Sequence, residues 1–148
     1  MKNMIWIIGI LVVPLFSFSQ EKATINLHDF IIEVNGKAVD FNKGIEETLL
    51  LDEEKQVLIY RENGISYGAE FTYKKKGNRI KLVRRTWGMK DGGKMKYSKQ
   101  KKEVQFLKKS NPGVLNGKSV ENIVLDKDKM ESINVIFKFD LVYIENKQ

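Results

Sequence analysis

Residues 133–143 read Ile-Asn-Val-Ile-Phe-Lys-Phe-Asp-Leu-Val-Tyr, and they decide the fold class. Ile133, Val135, Phe137, Phe139, Leu141 and Tyr143 occupy every second position. Side chains two apart share one face of an extended chain, so this spacing predicts a long strand with a buried aromatic face. Such a strand spans on the order of 35 Å, which favours a strongly bent sheet or a barrel over a flat one.

Working outward, a second period-two segment places Ile65, Tyr67, Ala69, Phe71 and Tyr73 on one face and Ser66, Glu70 and Thr72 on the other. Asn-Gly supplies the positive φ angles of tight hairpin turns. Three such pairs, Asn35-Gly36, Asn63-Gly64 and Asn116-Gly117, are therefore predicted to be hairpins. A polar turn at residues 52–55 separates Leu49–Leu51 from Gln56–Tyr60, and Gly88–Gly93 reads as a mobile loop. Residues 114–130 suit either a strand or a helical turn. At least seven strands joined by short turns, without a sustained helical period, predict an all-β, antiparallel meander forming a small barrel or strongly curved sheet, with a two-sheet β-sandwich as the alternative. In outline this resembles the lipocalin-type plan, although the Gly-x-Trp of that family is missing near the first mature strand.

The N-terminus has the parts of a secretory signal peptide: Lys2, an apolar run from Met4 to Phe16, and Ser17 and Ser19 before a cleavage point at Ser19/Gln20. The expectation is an exported protein, periplasmic or secreted, with residues 1–19 as signal and 20–148 as a single domain. No cysteine occurs anywhere, which removes disulfides, thiolate chemistry and lipid attachment together. No later apolar run is long enough for a membrane helix.

Charge is unevenly placed. Residues 74–109 carry fifteen Lys or Arg against Asp91 and Glu103, a net +13, whereas residues 20–73 sum to −6 and residues 110–148 to −1. Strand-forming segments inside this stretch would gather the cations on one side, where their fields add. The expected partner is an anionic envelope surface or an acidic protein face, engaged by Lys81, Arg84, Arg85, Trp87, Lys94 and Lys96. Export disfavours nucleic acid. A carrier of a small apolar ligand, with a barrel cavity lined by Tyr67, Phe71, Phe137 and Phe139, is the alternative.

Within residues 79–87 the alternation changes phase, because strict parity would place Arg84 inside with Ile80 and Leu82. A β-bulge near Val83 is the expected reading, since an unpaired buried charge is costly. An inward Arg84 would instead be the first candidate to grip a carboxylate or phosphate. Catalytic chemistry finds little support. His28 is the lone histidine and has no nucleophile near it in sequence, and Gly113–Ser119 is one residue short of a phosphate loop. No catalytic residue, metal ligand or cofactor is assigned.

Overall fold

The computed structural model describes residues 20–41, 43–108 and 113–144; the proposed signal peptide lies outside them. The described residues form ten strands: β1 (Lys22–Val34), β2 (Lys37–Val39), β3 (Ile45–Leu50), β4 (Glu54–Glu62), β5 (Ile65–Lys76), β6 (Arg79–Lys90), β7 (Lys96–Tyr97), β8 (Lys101–Phe106), β9 (Val114–Asp126) and β10 (Glu131–Tyr143). They make two five-stranded antiparallel sheets. In one, β9 pairs with β10 and β10 with β1, and β2 and β3 share the other edge of β1. In the other, β4 pairs with β5 and β5 with β6, and β7 and β8 share the far edge of β6. Leu51 and Tyr73 form a single parallel bridge at the corner between β3 and β4. Among the described residues no ladder joins β9 to β7 or β8. The two sheets therefore do not close into a barrel, and the arrangement is sandwich-like.

Turn chemistry explains most of the hairpins. Asn35-Gly36 and Asn63-Gly64 have positive φ at both residues (51° and 73°, 49° and 76°), the geometry that matches the twist of paired strands. Asp91-Gly92 does the same at 49° and 68°, so the first half of the expected loop at 88–93 is strand, with β6 running to Lys90 before a tight turn. Asn116-Gly117 departs from its predicted hairpin and lies inside β9, opposite Asp140 and Phe139. Its glycine serves packing rather than a turn. A Cβ at Gly117 would stand 2.1 Å from Phe139 Cζ, so the ring fills the space that the missing side chain leaves. Residues 114–126 are strand, the extended one of the two readings.

The inward faces follow the period-two reading of β5 and β10. Tyr67, Ala69, Phe71 and Tyr73 are all fully buried, as are Ile133, Val135, Phe137, Phe139 and Leu141. Burying a side chain of this size is worth about 1.5–3 kcal/mol, so these two strands anchor the core. Phe137 packs against Phe139 (ring centroids 6.4 Å apart) and against Phe30 (5.8 Å), which in turn meets Phe41 edge-on at 5.1 Å. Phe30 reaches this cluster because Asp29, at φ 53°, sits in a bulge where the β1–β10 register shifts. Tyr67, Phe71, Phe137 and Phe139, expected around a ligand cavity, are each 0% exposed in this packed interior.

Candidate functional site

Strand β6 pairs with β5 in unbroken register from Lys76–Arg79 to Ile65–Lys90. The expected bulge at Val83 is absent, and parity holds along the strand. Ile80, Leu82, Arg84 and Thr86 face inward, and Lys81, Val83, Arg85 and Trp87 face outward. Arg84 is 2% exposed. Its Nη1 donates to Ser119 Oγ at 2.8 Å and to Glu121 Oε1 at 3.4 Å, and its Nη2 donates to Glu103 Oε1 at 3.0 Å and to the Lys118 carbonyl at 3.3 Å. The guanidinium lies 5.3 Å from the centre of the Phe139 ring. Lys101 Nζ adds a contact to Glu121 Oε1 at 2.7 Å. The desolvation that made an inward arginine costly is offset by two carboxylates from other strands. Those same carboxylates occupy the fork that an external carboxylate or phosphate would need.

Arg84 belongs to a seam. The edge carbonyls of β9 at Lys118, Val120 and Leu125 accept from Arg84, Lys101 (3.4 Å) and Lys96 respectively. An unpaired edge strand is a template for unwanted pairing, and here side-chain cations from the facing sheet cover part of it. Three of the basic segment's charges are thus bound to β9, Arg84 from the buried interior and Lys96 and Lys101 from the surface. Lys75 is bound elsewhere, with Nζ 2.6 Å from Glu21 Oε1 and 2.5 Å from the Tyr143 hydroxyl.

The remaining expected residues separate. Arg85 points outward, but its Nε donates to Glu70 Oε2 at 2.5 Å and its guanidinium lies 4.1 Å over the Tyr97 ring. Trp87 also points outward, yet it is only 4% exposed because it lies across Gly68, where a Cβ would stand 2.4 Å from its Cζ2. It presents no open aromatic face for stacking or for a bilayer. Lys94 and Lys96 are exposed beside the Asp91-Gly92 turn, at a cavity of about 300 Å³ that they share with Asp126 and Lys129. The single side proposed from sequence does not form, because Lys75, Arg84 and Lys101 point toward the facing sheet.

What does form is a cationic field on the outer face of β5, β6 and β8. Lys74 stands directly opposite Lys81, and Lys76 directly opposite Arg79. On the other side of β6, Lys81 pairs with Val104, Arg79 with Phe106 and Val83 with Lys102. Like charges directly opposed across a ladder are destabilising. Among the described residues only Lys74 of this group has a carboxylate within ion-pair reach, Asp52 at 3.9 Å, and that pair is more than half exposed. Beside these cations Val104 and Phe106 are 48% and 59% exposed. Lys81, expected from the sequence at a partner face, lies on this outer face. Val104 and Phe106 were not singled out, although their alternation with Lys102 is the signal that places them on this face.

On the other sheet, His28 Nε2 lies 3.2 Å from Asp140 Oδ2 and its Nδ1 3.3 Å from Asp29 Oδ2. Asn116 donates to Asp140 at 2.7 Å, and Lys138 sits 2.9 Å from Asp29. The Lys138 ammonium and His28 hold the Asp29 carboxyl below its ordinary range. This is a surface ladder of mutually satisfied groups. Among the described residues no cluster of three or more His, Asp or Glu is arranged to hold a metal. No protein-family model, curated protein or solved structure matches the chain.

Proposed function

We propose that the protein is an exported, non-enzymatic binding domain that docks on an anionic membrane surface through the outer face of β5, β6 and β8. The reading is carried by the two like-charge pairs, Lys74–Lys81 and Lys76–Arg79, beside Lys102, with Asp52 the one counter-charge within reach among the described residues. Repulsion within such a field is relieved when negative charge arrives from outside. The apolar neighbours Val104 and Phe106 favour a lipid surface over a purely polar partner, because side chains so placed can enter the interface while the lysines remain among the headgroups. A cation near an anionic leaflet contributes about 1 kcal/mol, so several acting together give useful affinity without a built pocket.

Sedimentation with phosphatidylcholine vesicles, with and without phosphatidylglycerol, tests the proposal. Binding is expected only with the anionic lipid and should weaken as salt is raised, because the exposed charges are screened. Combining Arg79→Glu, Lys81→Glu and Lys102→Glu should weaken binding roughly a hundredfold. Phe106→Ser should weaken vesicle binding while leaving salt-dependent binding to poly-glutamate intact. Equal binding to neutral vesicles, or an unaltered triple variant, would overturn the reading. Retention on poly-glutamate alone would assign the face to an acidic protein.

A further inference from the structure

On the cationic face, charge and apolar surface follow a fixed order. The register places Lys76 opposite Arg79 and Arg79 opposite Phe106, and in the next outward row Lys74 opposite Lys81 and Lys81 opposite Val104. Each row thus runs from two cations on β5 and β6 to one exposed apolar side chain on β8. Directly opposed residues share a face with their Cβ atoms about 5 Å apart, and successive rows on that face lie roughly 7 Å apart. Two long cationic side chains so placed can converge on a single anionic group.

The two rows are not equal. Lys74 reaches Asp52 at 3.9 Å. Lys76 and Arg79 have no ion pair or side-chain hydrogen bond among the described residues, and both are exposed where they flank the Gly77-Asn78 turn. Lipid phosphates match such a doubly charged pair unequally. A phosphate diester brings a single negative charge, whereas a monoester brings about −1.5 to −2 at pH 7 and three acceptor oxygens. The monoester alone neutralises the pair. Phe106 continues the same row at 59% exposure, an apolar neighbour that a free phosphate would leave unused and a lipid would cover.

We infer that the face selects lipids whose headgroup ends in a phosphate monoester, with the phosphate seated between Lys76 and Arg79 and the acyl region against Phe106. The inference rests on the membrane reading above and adds to it the chemistry of the headgroup.

Phosphatidic acid is the probe, and phosphatidylmethanol, the same lipid capped to a diester, is the control. Each is mixed into phosphatidylcholine vesicles near neutral pH, and the two preparations are matched in zeta potential. Matching removes the attraction that any anionic surface exerts, so a remaining difference reports the headgroup. The mature chain is expected to bind phosphatidic acid about fivefold more tightly, the scale of one exposed ion pair. Lys76→Gln combined with Arg79→Gln should remove that preference and leave weak binding to both lipids through Lys74, Lys81 and Lys102. Lys102→Gln, opposite Val83 and outside the two rows, should weaken both lipids alike and keep the preference. Inorganic phosphate at the concentration of the lipid phosphate should not displace the protein. Equal binding at matched potential, a preference that survives in the double variant, or displacement by inorganic phosphate would each overturn the inference and leave docking on an anionic surface standing. Failure to bind either lipid would overturn both.

Discussion

Arg84→Met keeps an apolar stem of similar reach and deletes the guanidinium, leaving Glu121, Glu103 and Ser119 facing a space without their central donor. Removing one partner of a buried ion pair costs about 3–5 kcal/mol, because the other charge stays desolvated. Two observations place this case at the low end. Glu121 keeps Lys101 at 2.7 Å, and the Glu103 side chain is 24% exposed and can regain water. The expected loss is about 3 kcal/mol, equivalent to a fall in Tm of roughly 10 °C for a domain of this size. Urea unfolding followed by Trp87 fluorescence and far-ultraviolet circular dichroism measures it, with an unchanged slope showing that the unfolded state is not the source. Adding Glu103→Gln to Arg84→Met should recover about 1 kcal/mol, since the carboxylate whose ion pair the first change removes is neutralised by the second. A loss below about 1 kcal/mol for Arg84→Met, or strict additivity of the two changes, would refute the account of Arg84 as a cross-sheet strut.

Stability should also depend on pH through the clamp of Glu21, Lys75 and Tyr143. Burial pushes the Glu21 carboxyl up, but hydrogen bonds from Lys75 and Tyr143 outweigh it and leave the pKa lowered. Burial likewise pushes Lys75 down, and Glu21 and Tyr143 reverse it to a raised value. A lowered acid contributes stability above its unfolded pKa and loses it as pH falls through the folded one, and a raised base loses its share as pH rises through its folded value. The clamp should therefore act fully between about pH 5 and pH 10. Urea midpoints of the native chain and Lys75→Met should differ across that window and converge in acid, and a pH-independent difference would sink this explanation. Gly117→Ala should cost about 1–3 kcal/mol through overpacking against Phe139, and Phe139→Leu in the same chain should recover part of it by thermal melting.

The strands were readable where one face is wholly apolar. In β10 every second residue is buried, and in β5 every second residue from Ile65 to Tyr73 is apolar or aromatic, so the period is written in residue type and needs no partner to be recognised. Asn35-Gly36 and Asn63-Gly64 were equally readable, since both residues of such turns need positive φ. Asn116-Gly117 carries the same letters and is no turn, because the space above Gly117 is taken by the Phe139 ring of the neighbouring strand. The arginine misled for a related reason. Parity placed Arg84 inside, but the cost of a buried charge argued for a bulge, and the groups that offset the cost, Glu103 and Glu121, lie 19 and 37 residues further along the chain.

The sequence by itself determined that this is a β-protein, which faces of its longest strands are buried, and that one segment holds an excess of positive charge. Those properties are local: side-chain period, turn preference and composition need no knowledge of what packs above. Only the tertiary structure decided which charges are free. Arg84, Lys96 and Lys101 are bound to β9 across the two sheets, and Lys75 to the ends of β1 and β10. Lys74, Lys76, Arg79, Lys81 and Lys102 are left together on the outer face. A charge is satisfied or left free by whatever strand lies opposite it, and that follows from the facing of two sheets rather than from any neighbour in the chain.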